Sequence, residues 1–465
     1  MNAPTQDHLA VLAALGVRGV VTSAQLQAAL TKSQPTLSRL LADLSSQVVT
    51  LGRGRNTRYA LAKPIMGRAA QQPLWWIDEA GTAQRIGTLS LLGGGAGAPG
   101  GTGGGNSGGD GNLVHVAGAG FEDTLRNRLP WYLTPLKPQG FLGRLLAQRL
   151  AAFGLAANPD SWGIEAQLFA ALQLHDAPGA MALGEPAAQT GPTVVPADAK
   201  QAAVALDALA QDVGRTGRAG SSAGGEQPKF LAMLESGDHV LVKFTPPRGT
   251  PFGERWHDLL HAEALAASVL ASHGVAVAAS RVVETRLRTY LLATRFDRVG
   301  AAGRRHAVAV GALHDAFVPG GYSNWANTCE ALAQQGRLSP AVGVQARALL
   351  DFGRLIGNTD MHSGNLSLFA DISTLAGAVP GGLSLAPVYD MLPMCWRPDP
   401  LAGGGGGLAS AADANDYTAF EPDPISAAGP ARMPAAAFWS QLAQHARVSK
   451  GLRQVAADMA RRLPS

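Results

Sequence analysis

The sequence predicts an α+β chain, with a small unit of short helices and one hairpin ahead of a larger body of strands and helices. Three observations predict it. Residues 1–62 hold short helical patterns followed by two strand-like runs around a Gly/Arg tip. Residues 63–205 carry strand-like segments and then helices, a grouping that favours α+β over strictly alternating folds. Beyond 206, two short apolar strands precede a long amphipathic helix. These three stretches, 1–62, 63–205 and 206–465, are the expected domains.

Composition agrees with this division. The chain has 465 residues, 46% hydrophobic and 15% charged, enough for several cores. No apolar run approaches the ~20 residues of a membrane span. Met1–His8 lacks a basic stretch followed by an apolar block, so neither a signal peptide nor a membrane partner is expected, and the expected location is the cytoplasm. The two cysteines, Cys329 and Cys395, exclude a disulfide framework and a cysteine-rich zinc site. The net charge of +4 is mild, but Lys32, Arg39, Arg53, Arg55 and Arg58 crowd into the first unit. The Gly93–Asn112 tract, Gly with Ser, Asn and Asp, cannot bury enough apolar area to offset ordering and reads as a mobile loop.

In the first unit, Leu9, Leu12 and Ala13 have helical spacing over His8–Leu15. Thr22 or Ser23 caps a second helix, Ala24–Leu30. After a turn at Thr31–Lys32, Ser33 caps a third, Gln34–Leu44, with Pro35 tolerated in its first turn. Two short helices across a tight turn are the helix-turn-helix signature. Val48–Leu51, Gly52–Asn56 and Thr57–Leu61 read as a hairpin, the wing. Gln34, Thr36, Ser38 and Arg39 on the third helix suit base edges and phosphates of double-stranded DNA, and Arg53, Arg55 and Arg58 suit its backbone or minor groove. The alternative is a winged helix used only for protein contacts or dimerisation.

Four elements in the last unit carry chemistry. Asp360-Met361-His362-Ser363-Gly364-Asn365 has the Asp-to-Asn spacing of a protein-kinase catalytic loop, with Asp360 as the base and Asn365 as a metal ligand. The apolar helix Ala348–Ile356 delivers it. Pro387-Val388-Tyr389-Asp390 places an Asp after a short apolar strand, Leu383–Val388, where a second metal-binding carboxylate belongs. Lys243 interrupts the apolar strand Val240–Phe244. In the next helix, Arg255–Ser272, Glu263 shares the apolar face with Leu259, Ala266 and Leu270, so the two charges are expected to pair and hold phosphates. The alternative there is a snorkelling Lys and a Glu at the rim. Finally, the small residues of Gly220–Lys229, ahead of strand Phe230–Leu234, suit a backbone nest for phosphate oxygens.

Together and in this order, these elements resemble the HipA family of bacterial toxin kinases. The match lies in Ser222-x-x-Gly225-x-x-Pro228-Lys229, Arg295-Phe296-Asp297-Arg298, Gly357-Asn358-Thr359-Asp360-x-His362-x-x-Asn365 and Pro387-x-Tyr389-Asp390, over roughly residues 120–400. The fused N-terminal unit is most similar to the YjjJ (HipH) branch. The resemblance implies a protein-kinase-like, two-lobed HipA fold, with a mixed-sheet N-lobe and a mostly helical C-lobe, after the winged helix-turn-helix. It implies ATP and Mg²⁺ as cofactors, with Asp360 as the base and Asn365 and Asp390 on the metal. It also implies Lys243, paired with Glu263, on the phosphates, and Gly224, Gly225, Glu226, Gln227 and Lys229 over the nucleotide. Thr294, Arg295 and Phe296 would form the hinge near adenine. His362 would stand at the phosphate end of the catalytic loop, and Tyr389 would line the same site. Ser222 would be the autophosphorylation site. Implied partners are a protein substrate among translation components, such as an aminoacyl-tRNA synthetase, and a HipB-like antitoxin. Growth arrest or persistence is the implied outcome; because the DNA-binding unit is fused, it is expected to autoregulate transcription or to restrain the kinase in cis. Glu226 in the loop and Thr294 at the hinge depart from the family pattern. Two other readings stay open: a transcription regulator whose kinase fold senses a ligand or ATP, and a small-molecule phosphotransferase.

Overall fold

The computed structural model describes residues 5–94, 111–118, 124–174, 176–185, 193–216, 227–375, 381–398 and 417–463. Most of the Gly93–Asn112 tract, and Ser222, Gly224, Gly225 and Glu226, lie outside the described residues.

The first unit runs α1 (Gln6–Arg18), β1 (Val21–Thr22), α2 (Ser23–Leu30), α3 (Gln34–Asp43), β2 (Val48–Leu51) and β3 (Arg58–Leu61). Thr22 closes a capping box with Gln25 at the start of α2. Thr31 ends that helix in the left-handed region at φ +53°, which turns the chain sharply into α3. Ser33 stands at the N-cap of α3 without a side-chain cap bond. The strands order as β1-β3-β2 around a core of Val11, Leu15, Leu26, Leu37, Leu41 and Val48. The two-residue β1 carries too short an apolar pattern to be read from sequence.

The second unit contributes β4 (Gln71–Ile77), β5 (Ala83–Leu92), β6 (Leu113–Ala117), β7 (Thr124–Arg126), α4 (Gly140–Arg149), α5 (Ile164–Ala171) and β8 (Met181–Leu183). Its sheet, β7-β6-β5-β4-β8, is antiparallel throughout. An Ala62–Leu92 bridge and a bond from Lys63 N to Leu91 O stitch the end of β3 to it.

The third unit begins with β9 (Val194–Val195), α6 (Ala199–Thr216), β10 (Lys229–Leu234), β11 (His239–Phe244), α7 (Pro251–Ser272), β12 (Ser280–Glu284) and β13 (Thr289–Thr294). The sheet β12-β13-β11-β10-β9 is mixed, because β9 runs parallel to β10. Val240, Val242 and Phe244 of β11 pack with Leu206 and Ala210 of α6 in one small core. Strand alternation therefore turns Lys243 to the other face, toward α7. The hairpin β14 (Arg298–Val299) and β15 (Gly303–Arg304) leads through β16 (Ala307–Ala309) into the helical part. That part holds α8 (Val310–Phe317), α9 (Trp325–Gln334), α10 (Pro340–Leu355), β17 (Ser367–Phe369), α11 (Ile372–Leu375), β18 (Ser384–Leu385), α12 (Pro424–Ala427), α13 (Arg432–Ala443) and α14 (Lys450–Arg462). Trp325, Phe352, Phe438 and Trp439 are fully buried at its centre. Leu383–Val388, expected as one strand, is a strand only at Ser384–Leu385, and Val388 makes a single bridge to Val277. The chain leaves the sheet there to cross from the helical part to the strands. No described helix is long and apolar enough to span a membrane.

Candidate active site

Lys243 is 4% exposed, and its ammonium lies between two carboxylates. Nζ donates to Glu263 Oε1 at 2.6 Å and also to Asp390 Oδ1. Burial alone would lower the Lys243 pKa, but Asp390 and Glu263 outweigh it and hold the ammonium above its ordinary value. Burial raises the Glu263 carboxyl, with Lys243 opposing. Asp390 is also raised by burial, yet Lys243 and Lys229 bring it below the usual carboxylate range. Lys229 is the cross-strand partner of Lys243, so both lysines lie on one face of the sheet.

Asp390 has φ +57°, a left-handed conformation that costs a non-glycine residue. Its surroundings hold it there. Val388 is tied to the 276–278 segment by Val388 N to Ala276 O and Ala278 N to Val388 O, both 2.9 Å. Asn358 Nδ2 donates to Asp390 O at 3.1 Å.

The same Asn358 organises the Asp360 loop, since its Oδ1 accepts from Asp360 N at 3.0 Å. Asn365 Nδ2 donates back to Asp360 O at 2.8 Å, which closes the loop and leaves the Asn365 side-chain oxygen as an atom that could ligate a metal. Trp325 Nε1 donates to His362 O at 2.8 Å. A Cβ on Gly311 would stand 2.5 Å from Ser363 Oγ, so only glycine lets α8 approach the loop. Tyr389 donates to Gly364 O at 2.6 Å and shares a 2.8 Å bond with Ser367 Oγ, so its hydroxyl pins the loop. The Asp360 carboxylate is half-buried and has no ion-pair partner among the described residues.

The structure thus brings Lys243, Glu263, Asp390, Tyr389, Asp360 and Asn365 into one connected set, with Lys229 and His362 acting electrostatically on Asp390. Gln227 is buried, and its Nε2 has no partner among the described residues. Phe296 stacks at a tilt on Tyr389, ring centroids 5.5 Å apart. The Thr294 amide donates to Ala279 O. Arg295, expected at the hinge, turns its guanidinium elsewhere. It pairs with Asp297 at 2.8 Å and with Asp176 at 2.6 Å, while its amide donates to His239 O. Asn358 sits two residues before Asp360, the spacing of a side chain that captures its own backbone. Asp176 lies 119 positions from Arg295 and gave no local signal.

At the other end of the chain, Gln34 accepts from Ser23 Oγ at 2.7 Å and also from Gln27, and Thr36 shares a hydroxyl bond with Ser33. Arg39, Arg53, Arg55 and Arg58 are exposed. Ser38 lines an open cavity whose opposite wall is β5 and β6 at Thr88, Ser90 and His115.

Comparison with known proteins adds the relationship. Residues 221–465 match the HipA-like C-terminal domain, and residues 68–191 match the middle domain of YjjJ-like toxins. The chain is 34% identical over 460 residues to the toxin YjjJ of Escherichia coli (strain K12), covering 95% of each. Among solved structures it is similar to a chain of the Shewanella oneidensis MR-1 complex of HipA, HipB and operator DNA. That match has 19% identity, 85% of this chain, 92% of that one and a TM-score of 0.47. It is also similar to the Helicobacter pylori proinflammatory kinase CtkA, with 13% identity, 51% and 90% coverage and a TM-score of 0.32. By its match over the C-terminal half and its identity across nearly the whole length, the chain belongs to the HipA-like toxin family, in its YjjJ-like branch.

Proposed function

We propose that residues 206–465 form an ATP- and magnesium-dependent serine/threonine protein kinase, and that residues 1–62 bind double-stranded DNA. The observation that carries the kinase reading is Lys243, buried between a helix carboxylate and a left-handed Asp. A lysine so placed presents a fixed positive charge to phosphates. The donor set fits magnesium. Asp390 is held ionised, Asn365 offers an amide oxygen, and hard oxygen ligands are what Mg²⁺ takes. Glu263 Oε2, buried without a hydrogen-bond partner among the described residues, supports room for a further polar ligand.

In this reading Lys243 orients the ATP phosphates, and Glu263 keeps the amine in place. Asn365 and Asp390 hold the magnesium, which when bound neutralises phosphate charge. Asp360 accepts the proton of the attacking serine or threonine hydroxyl, the loop being fixed by Asn358, Asn365 and Tyr389. The target we propose is a translation component, an aminoacyl-tRNA synthetase being the family-implied example, with Ser222 as the autophosphorylation site. Incubating the full chain with labelled ATP and Mg²⁺ tests the reading. Label on protein is expected, and ATP binding without any label would support the regulator reading instead.

DNA binding is supported by the four exposed arginines on α3 and the wing. Gln34 and Ser38 share a 3.5 Å bond on one face of α3, and we infer that they, with Thr36 and Arg39, would make the base and phosphate contacts. A footprint on the chain's own upstream DNA is expected, and a HipB-like antitoxin would compete for or share that site.

A further inference from the structure

A second buried titratable cluster lies on α7, outside the phosphate site. His257 and His261 are four residues apart and project from one helix face. Glu284, at the end of β12, meets them, and His445 arrives from the turn after α13. His261 Nε2 is 3.2 Å from Glu284 Oε1. The His261 ring centroid is 4.7 Å from that of His257 and 5.2 Å from that of His445. One ligand atom from each of His257, His261 and Glu284 lies within 4.8 Å of the others.

His261 Nε2 faces Glu284 Oε1 but makes no well-formed hydrogen bond among the described residues, and His445 Nδ1 is likewise buried without one. A buried nitrogen left without a well-formed hydrogen bond is costly. His257 is held from both sides, by Thr289 Oγ1 at 2.7 Å and Arg447 O at 2.8 Å. Arg248 takes Glu284 Oε2 at 3.0 Å, and Arg447 Nε lies 3.7 Å from Oε1.

We propose that His257, His261 and Glu284 bind one zinc ion, with water in the fourth position. Two histidines at i and i+4 on a helix, joined by a carboxylate from another element, are a donor set that zinc prefers. Ligand atoms about 2.0–2.1 Å from zinc stand closer together than 4.8 Å, so the rings must rotate inward. His257 exchanges one of its two bonds for the ion and keeps the other as the bond that orients its ring. The ion would tie α7 to β12. Glu263 is two residues beyond His261 on that helix, so zinc would also steady the Lys243–Glu263 pair.

The test uses the full chain without an affinity tag, stripped with chelator and titrated with Zn²⁺ by calorimetry and with Co²⁺ by visible absorption. One equivalent is expected, with the strong visible bands of tetrahedral cobalt and a zinc-dependent rise in melting temperature. His261→Ala and Glu284→Gln should lose that equivalent, and Asp390→Asn should keep it. If either cluster variant fails to fold, the wild-type cobalt spectrum decides. Absent binding, weak octahedral bands, or loss of the equivalent in Asp390→Asn alone would overturn the proposal.

Discussion

Two buried ion networks stand close to the same sheet and differ in how completely they are satisfied. In the Arg295–Asp297–Arg298–Asp176 network every carboxylate oxygen has a donor. Asp297 receives Arg295 on Oδ1, and Arg295, Arg298 and Gly179 N on Oδ2. Asp176 receives Arg295 on one oxygen and Arg298 on the other. In the Lys243–Glu263–Asp390 network, Glu263 Oε2 has no hydrogen-bond partner among the described residues and Asp390 is held in a left-handed conformation. Saturation suits the first to a clamp joining the 176–179 segment to the hairpin region. Residual unsatisfied polarity and strain are what the proposed ligand site requires of the second.

If that contrast is right, the two networks respond oppositely to mutation. The largest effect expected is on catalysis. Asp360→Ala should lower phosphoryl transfer about 10²–10⁴-fold while leaving ATP binding and melting temperature near wild type, read by labelled-ATP transfer and calorimetry. Asp297→Ala should do the reverse. It leaves two buried guanidiniums to share Asp176 as their remaining carboxylate among the described residues and should cost about 3–5 kcal/mol of stability, read by denaturant unfolding. A pH series sharpens the same point. Burial raises the Asp297 carboxyl, but Arg295 and Arg298 outweigh it and hold it well below the usual range. Its contribution is therefore full above the unfolded value, about 3.9, and is lost as pH falls from there through the folded value. Asp297→Ala should flatten that acid-side loss.

The N-terminal unit extends the comparison to charges that are exposed. Arg39→Ala with Arg55→Ala should leave stability unchanged and reduce the slope of log affinity against log salt by about two, measured by fluorescence anisotropy on upstream DNA. The smallest effect expected is at the α2 cap. Thr22→Ala should cost about 1 kcal/mol of stability with no change in transfer rate.

Much of this was legible in the sequence, for physical reasons. Short helices with cap residues and a Gly/Arg hairpin are local signals, and α2, α3, β2 and β3 lie within a residue or two of expectation. Strand alternation on β11 and helical spacing on α7 sufficed to pair Lys243 with Glu263 across two elements. What escaped was non-local. Nothing near Arg295 announces its buried pairing with Asp176, 119 positions away. The direct Lys243–Asp390 contact joins residues 147 positions apart, and the left-handed backbone of Asp390 has no composition signal. The His257–His261–Glu284–His445 cluster was missed because His445 comes from the far end of the chain.

The central claim is that Lys243, Glu263, Asp390, Asn365 and Asp360 form one phosphoryl-transfer site. The most direct measurement incubates purified wild type and Asp360→Ala with labelled ATP and Mg²⁺, alone and with a cell extract, and identifies labelled residues by mass spectrometry. The account predicts phosphoserine or phosphothreonine from wild type only, with both proteins binding ATP. Equal labelling by Asp360→Ala, or no ATP binding by wild type, would contradict it.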